Sequence, residues 1–162
     1  MNGPSHFLFD ECIGKPLMLQ LRQIVATESE FVHICDYYRQ GIKDAEWVPR
    51  IAAEGRWVVI TSDGGKGSKK GEKLPDLCLA HSLTHVILSS TLHKKNSREK
   101  VAVIAPLWSG IESLAFEPAG GRWQLRYRAA KGSNLLRLEL RKIESGSPSF
   151  DPPPDVSSTD TL

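Results

Sequence analysis

Four acidic residues lie where short apolar segments end or where a helix begins. Asp10 and Glu11 follow the apolar segment "HFLF", Asp63 follows "WVVITS", and Asp44 lies near the start of "KDAEWVPRIAAEG". Carboxylates that lie close together repel one another, and they stay ionised only when a positive group lies among them. Mg²⁺ and Mn²⁺ prefer such oxygen ligands, and one or two of these ions can activate a water for attack on a phosphodiester. The four residues therefore predict a divalent-metal site, provided that the fold brings them to one crevice.

Each of these acids also suits an ordinary structural role. Asp is favoured at helix N-caps, which is the role open to Asp44, and in turns, which is the role open to Asp63. Glu11 would then be a solvated turn residue. We prefer the metal site because several carboxylates occur together at strand and helix ends.

The elements that must position these acids alternate along the chain, as is typical of an α/β domain. Strands are predicted at residues 6–10, 30–38, 56–63 and 84–91, and helices at 15–26, 43–55, 74–83 and 97–114, the last bent or broken at Pro106. Beyond residue 120 the apolar and polar residues alternate around "AKGS", which predicts a two-stranded hairpin at 121–143 or a strand and a short helix. We expect a three-layer α/β fold with a central, largely parallel sheet, helices on both faces and a C-terminal hairpin.

Length and composition indicate one domain. The 162 residues suit a single core at residues 1–143, and the Pro-, Ser- and Asp-rich segment 144–162 is predicted to be a disordered acidic tail. The sequence contains neither an apolar run of 18 residues nor a secretory signal, so we expect no membrane association. Three cysteines without motif spacing favour reduced thiols and a cytoplasmic location. The body outside the acidic tail is basic, which suggests an anionic partner, but on charge alone we favour an ordinary solvated surface.

Three motifs resemble a known family. "FLFDE", "DAEWVPRIAAEG" and "WVVITSD" resemble the PIN-like domains, and more narrowly the VapC-type toxins of bacterial toxin–antitoxin systems, over about residues 6–115. The resemblance implies a PIN-like fold and a metal-dependent endoribonuclease that acts as a toxin. It implies that Asp10, Asp44 and Asp63 hold Mg²⁺ or Mn²⁺ and that Thr61 is the hydroxyl residue beside the last acid.

The chain departs from the family at one point. PIN nucleases often carry a fourth acid shortly after the third, but the segment after Asp63 is basic. Glu11 is the helper that we prefer, with Glu72, Asp76 or no residue as alternatives. Lysines bind phosphates as point charges, so we expect the basic segment to bind RNA, the alternative being a solvated loop; the three predicted substrate-binding residues are Lys66, Lys69 and Lys70.

The resemblance also implies partners. A cognate antitoxin protein is expected to cover the acidic crevice and to insert an Arg or Lys among the carboxylates. A homodimer is compatible with the sequence.

Other functions remain open at this stage. The chain could be a catalytically weak or inactive PIN-like module that binds RNA or a protein, because a fold does not imply an activity. A receiver-like phospho-acceptor domain also has acids after its first and third strands. Cys78, His81 and His85 have loose zinc-ligand spacing, although a strand predicted near Thr84 separates the histidines.

Overall fold

The computed structural model describes residues 5–64, 71–129 and 136–143, which form one mixed sheet flanked by helices. The strands are β1 (His6–Phe9), β2 (Glu30–His33), β3 (Trp57–Thr61), β4 (Thr84–Leu88), β5 (Arg122–Ala129) and β6 (Leu136–Lys142), in the spatial order β2-β1-β3-β4-β5-β6. Neighbouring strands from β2 to β5 pair in parallel, and β6 pairs antiparallel to β5. This confirms the predicted largely parallel sheet and the C-terminal hairpin.

Helices cover both faces of the sheet. They are α1 (Lys15–Ile24), α2 (Ile34–Tyr37), α3 (Asp44–Glu54), α4 (Leu74–Ala80), α5 (Ser90–His93), α6 (Ser97–Ile104) and α7 (Trp108–Ser113), with 3₁₀ turns at Ala105–Leu107 and Leu114–Phe116. Buried side chains of α1, α5, α6 and α7 form one core cluster, and those of α2, α3 and α4 form the other. We call the two sides of the sheet the α6 face and the α3 face. The three-layer α/β architecture is therefore as predicted.

The strand pattern decides which side chains reach each face. Phe7 and Val58 belong to the core of the α6 face, whereas Leu8 and Val59 belong to the core of the α3 face. Successive side chains of a strand point to opposite faces, so residues two apart share a face. Asp10 follows Leu8 by two positions and therefore lies at the carboxyl edge of β1 on the α3 face.

The strand predicted at residues 30–38 is wrong after His33. β2 ends at His33 and α2 begins at Ile34, because the His33 Nδ1 accepts a hydrogen bond from the Cys35 N–H at 3.3 Å and caps the helix. A short apolar run does not distinguish a strand from a strand followed by one helical turn.

Other helices and strands also begin or end at residues that differ from the predicted ones. The strand predicted to reach residue 91 ends at Leu88, since the Ser89 hydroxyl accepts from the Leu92 N–H and caps α5. The helix predicted at 97–114 is interrupted near Pro106 by a 3₁₀ turn, as a proline in a helix interior requires. Asp44 is the first residue of α3 and not its N-cap, which is Lys43.

Within the described residues, no helix is both long enough and apolar enough to cross a membrane. The predicted tail at 144–162 lies outside the described residues, so the predicted domain boundary stays a prediction.

Candidate metal centre

Asp10 is held at the end of β1 by several hydrogen bonds. Its backbone N–H donates to the Ile60 carbonyl at 3.0 Å and so continues the β1–β3 pairing. Its carboxylate is only 9% exposed: Oδ1 accepts from the Glu11 N–H at 2.8 Å, and Oδ2 accepts from the Thr61 hydroxyl at 3.0 Å. The strand pairing and the two donors together fix the direction in which this carboxylate points.

Thr61 connects Asp10 to Asp63. Its side chain is fully buried, and its Oγ1 accepts a hydrogen bond from the Asp63 N–H at 2.9 Å while donating to Asp10. One hydroxyl therefore uses its donor and an acceptor lone pair to fix the backbone at one acid and the carboxylate of another. This explains the Thr-x-Asp spacing at the end of β3.

Cys12 is a residue at this centre whose position the sequence analysis did not identify. Its thiol donates to Asp10 Oδ2 at 3.3 Å, accepts from the Ser62 N–H at 3.1 Å and lies 3.3 Å from Thr61 Oγ1. Burial, and then the Asp10 charge, raise the pKa of the Cys12 thiol to about 11, so the thiol is protonated at neutral pH. Its position two residues after Asp10, in the turn that follows a strand, was the available signal.

Asp44 is held by the helix that it begins. The Trp47 indole N–H donates to Asp44 Oδ1 at 2.9 Å, and the Trp47 ring is fully buried in the core of the α3 face. Residues three apart are neighbours on a helix surface, which makes this contact possible. The Asp-x-x-Trp motif is thus an acid with its own hydrogen-bond donor.

Three of the predicted acids act electrostatically on the fourth, Asp44. The pKa of Asp44 is raised, first by burial and then by the charges of Asp10, Asp63 and Glu11, while the Trp47 hydrogen bond opposes the rise. Charges raise a neighbouring carboxyl pKa in this way only when they lie near it in a poorly screened environment. The fold therefore places Asp10, Asp63 and Glu11 near Asp44, and we call the site of these four acids the acidic crevice.

Glu11 lies at the rim of this crevice. Its Oε1 accepts from the Gly41 N–H at 2.8 Å, in the turn between α2 and α3, where Gly41 has a φ of 75°. Two other acids were alternatives for the fourth acid. Asp76 lies in the first turn of α4 and accepts a hydrogen bond from the Gly71 N–H, and Glu72 is exposed. The charges that raise the pKa of Asp44 include that of Glu11, together with those of Asp10 and Asp63.

The donor set has the chemistry that a hard divalent cation prefers, because every acid supplies carboxylate oxygen and three of the acids raise the pKa of Asp44. In the ranges that the structure describes, however, no three or more His, Cys, Asp or Glu side chains are arranged to hold an ion as they stand. Asp10 and Asp44 accept hydrogen bonds from protein donors instead. The predicted substrate-binding lysines Lys66, Lys69 and Lys70 lie outside the described residues.

The zinc alternative receives no support. Cys78 is buried in α4, His81 is exposed at the end of that helix, and His85 is fully buried on β4. These three side chains do not form a metal-holding group among the described residues.

Topology alone does not identify the family, because the order β2-β1-β3-β4-β5 also occurs in doubly wound folds such as receiver domains. A comparison with family models decides the question: the family described as "PIN like domain" matches residues 5–90, more than half of the chain. The chain belongs to the PIN-like domain family. The match supersedes the receiver alternative, and the PIN-like region contains all four acids as well as Cys12 and Thr61. Searches against curated proteins and against solved structures gave no match. The β5–β6 hairpin of this PIN-like chain lies beyond the matched residues.

Proposed function

We propose that the protein is a metal-dependent endoribonuclease that hydrolyses RNA phosphodiester bonds. The observation that carries the proposal is that the Thr61 hydroxyl joins the Asp10 carboxylate to the Asp63 backbone, with Asp44 close enough for the charges of these acids and Glu11 to raise its pKa. A cluster of like charges costs free energy in the folded protein, and a divalent cation would relieve that cost. Membership of the PIN-like family supports the same reaction class.

In this proposal Asp10, Asp44 and Asp63 hold Mg²⁺ or Mn²⁺. The ion would supply an activated water and would neutralise charge that develops on the phosphodiester. Thr61 holds the Asp10 carboxylate and the Asp63 backbone in place by hydrogen bonds, and Glu11 would serve as the fourth acid of the site. Lys66, Lys69 and Lys70 would bind the RNA backbone.

The test compares the wild type with Asp63→Asn from a matched preparation, using mixed RNA and Mn²⁺. We expect cleavage by the wild type, loss of that cleavage with a chelator, and no cleavage by Asp63→Asn. The substitution keeps the size of the side chain and removes its charge, so we expect Asp63→Asn to fold like the wild type. Cooperative unfolding of both proteins would confirm that any loss of cleavage is not caused by misfolding. Wild-type cleavage rates in Asp63→Asn would show that this carboxylate is not at the reaction centre.

We further propose that the nuclease is the toxin of a cytoplasmic toxin–antitoxin pair. The family resemblance motivates this, and a crevice of mutually repelling carboxylates is a suitable receptor for an Arg or Lys of an antitoxin. Co-expression with the protein encoded next to it should yield a complex and suppress toxicity. Light scattering on the protein purified without a partner would test whether it forms a homodimer. Growth that is unaffected by expression of an active enzyme would count against a toxin.

A second function has its own supporting observation. The acids are not arranged to hold an ion among the described residues, which favours a PIN-like module that binds RNA or a protein without cleaving it. Calorimetric titration with Mn²⁺ separates the two functions. Saturable Mn²⁺ binding that Asp44→Asn abolishes supports the nuclease, whereas RNA binding without any Mn²⁺ binding supports the module.

A further inference from the structure

A continuous row of side chains crosses the sheet from the acidic crevice to its far edge. The Asp10 carboxylate accepts a hydrogen bond from Thr61 on the neighbouring strand. In the sheet register, Thr61 pairs with Ile87, Ile87 pairs with Gln124, and Gln124 pairs with Arg141. Neighbouring strands lie about 4.8 Å apart, so the row extends about 19 Å from the acid to the arginine. Thr61, Ile87 and Gln124 are buried, so the row itself is not an open groove, but it places the acids and the exposed Arg141 on the same face of the sheet.

The α3 face of the hairpin is polar. Leu125 of β5 is buried in the core of the α6 face, and Leu140 of β6 packs against that core. Side chains one position away point to the opposite face, which places Arg126, Arg128, Glu139 and Arg141 on the α3 face. In the described part of the chain, the core of the α3 face contains no residue of β5 or β6.

This surface carries more positive than negative charge. Glu139 Oε1 pairs with Arg126 Nε at 2.8 Å, and Glu139 Oε2 lies 3.5 Å from Arg128 Nη1. The Arg128 side chain is 71% exposed, and Arg141 is also exposed. Glu139 thus lies near two guanidinium groups, and Arg141 adds a third positive charge, so among the described side chains of this hairpin face positive charge exceeds negative charge. We call Arg126, Arg128 and Arg141 the arginine face.

The hairpin's aromatic side chains lie on the other side of the sheet. Trp123 and Tyr127 pack against the core of the α6 face, where Lys142 and Lys95 lie over their rings at 5.9 and 5.4 Å. Bases that lay on the arginine face could not stack on either ring. The cations on that face are guanidinium groups, which bind phosphates by paired, charge-assisted hydrogen bonds.

We propose that the arginine face binds the phosphate backbone of single-stranded RNA, without reading its bases, as that RNA leaves the acidic crevice. This proposal rests on the proposed nuclease function for the identity of the crevice. It assigns to the hairpin, which lies outside the matched PIN-like region, the task of holding the substrate beside the carboxylates that repel it. Affinity should be independent of base sequence and strongly dependent on salt.

The test measures binding in a chelator, in full-length protein that carries Asp63→Asn, so that neither metal nor cleavage enters. The probes are fluorescent 12-mers of A and of U, followed by anisotropy over a range of salt concentrations. The test variant adds Arg128→Gln and Arg141→Gln. The matched control instead adds Arg22→Gln and Arg98→Gln, which remove two exposed arginines from α1 and α6 on the opposite face.

We expect equal binding of both 12-mers by the parent. The Arg128/Arg141 variant should bind at least about tenfold more weakly, since each lost contact is charge-assisted. Its log–log salt slope should fall by about 1.4, which corresponds to two phosphate contacts on a single strand. The Arg22/Arg98 control should stay within about twofold of the parent, and Glu139→Gln should bind more tightly because it removes the facing carboxylate.

Four results would overturn the proposal: no binding by the parent, equal loss in both double variants, a marked preference for one base, or tighter binding of a duplex than of the single strand. Because the assay contains no metal, these results are distinct from failure of the nuclease. A protein that binds through the arginine face but never cleaves would refute the proposed function and leave the face as assigned.

Discussion

The Thr61 hydroxyl donates to Asp10 Oδ2 at 3.0 Å and accepts from the Asp63 N–H at 2.9 Å, so one buried group joins the carboxyl ends of two neighbouring strands. Neither strand positions its acid alone. β1 delivers Asp10 to the sheet edge, and β3 supplies the donor that orients it. The centre therefore depends on the β1–β3 pairing, in which Phe9 lies beside Ile60.

Thr61→Val should damage stability and cleavage together. The substitution keeps the shape of the side chain but removes a donor from a nearly buried carboxylate and an acceptor from the Asp63 N–H. We expect a loss of about 1–3 kcal/mol in the free energy of unfolding, the cost of leaving such groups without partners. Urea denaturation and initial cleavage rates measure the two effects. Thr61→Ser, which keeps both hydrogen bonds, is the control, and equal behaviour of the Val and Ser variants would refute the role given to the hydroxyl.

Trp47→Phe tests the second support of the centre. Phenylalanine keeps an aromatic ring in the core but cannot donate to Asp44, whose pKa that hydrogen bond lowers. We expect Mn²⁺ affinity to fall by about tenfold, as is usual when a hydrogen bond to a ligand is lost. Protons should also compete more strongly with the metal at lower pH. Trp57→Phe is the matched control, since Trp57 is another buried tryptophan of the same core; calorimetry that finds equal losses in both variants would refute this prediction.

Asp44→Asn should stabilise the protein in the absence of metal. The pKa of Asp44 is raised in the folded state, so the charged form lowers stability at pH values above that raised pKa, and the loss disappears on acidification. An uncharged amide avoids the loss, and we expect the melting temperature at pH 7 to rise by a few degrees. The Mn²⁺-dependent increase in melting temperature should vanish.

Glu46→Gln is the control for that experiment. Glu46 lies in the same first turn of α3, so both substitutions remove one favourable charge from the helix N-terminus. Its surface pair with Arg39 contributes little to stability. A fall in melting temperature for Asp44→Asn comparable to that for Glu46→Gln would mean that repulsion among the acids is negligible.

Periodicity predicted the sheet and the end of β1 well, because the apolar run of β1 stops at the carboxylate of Asp10. That is why Asp10 could be placed before the structure was known, whereas Thr61 was assigned by the resemblance of "WVVITSD" to the PIN-like domains. The end of β2 could not be predicted, since it depends on a histidine side chain that caps the next turn. The role of Cys12 could not be predicted either, because its three contacts are with residues that only the β1–β3 pairing brings near.

Thiol reactivity provides a direct test of the position of Cys12. Its pKa of about 11 leaves about one thiol in a thousand ionised at pH 8, and only the thiolate reacts with iodoacetamide. Cys78 is fully buried, whereas Cys35 is exposed. We therefore expect native protein to be alkylated first at Cys35, and protein in denaturant at all three sites. Peptide mass spectrometry over time measures this, and alkylation of Cys12 as fast as that of Cys35 would place Cys12 outside the centre.

His85 should make the fold sensitive to acid. The side chain is fully buried on β4, neither ring nitrogen has a hydrogen-bond partner among the described residues, and burial together with Arg122 lowers its pKa from 6.5 to about 3. Between pH 6.5 and about pH 3, the unfolded chain binds a proton at His85 that the folded chain does not bind. The free energy of unfolding therefore falls as the pH drops through this range, relative to its value above pH 6.5. At pH 5 the loss is about 2 kcal/mol, from one and a half pH units at 1.36 kcal/mol each. Denaturation at pH 7 and pH 5 should show this difference in the wild type and in His81→Gln, which is an exposed control. The difference should be absent in His85→Leu. Parallel pH dependence in all three proteins would mean that His85 is protonated in the folded protein.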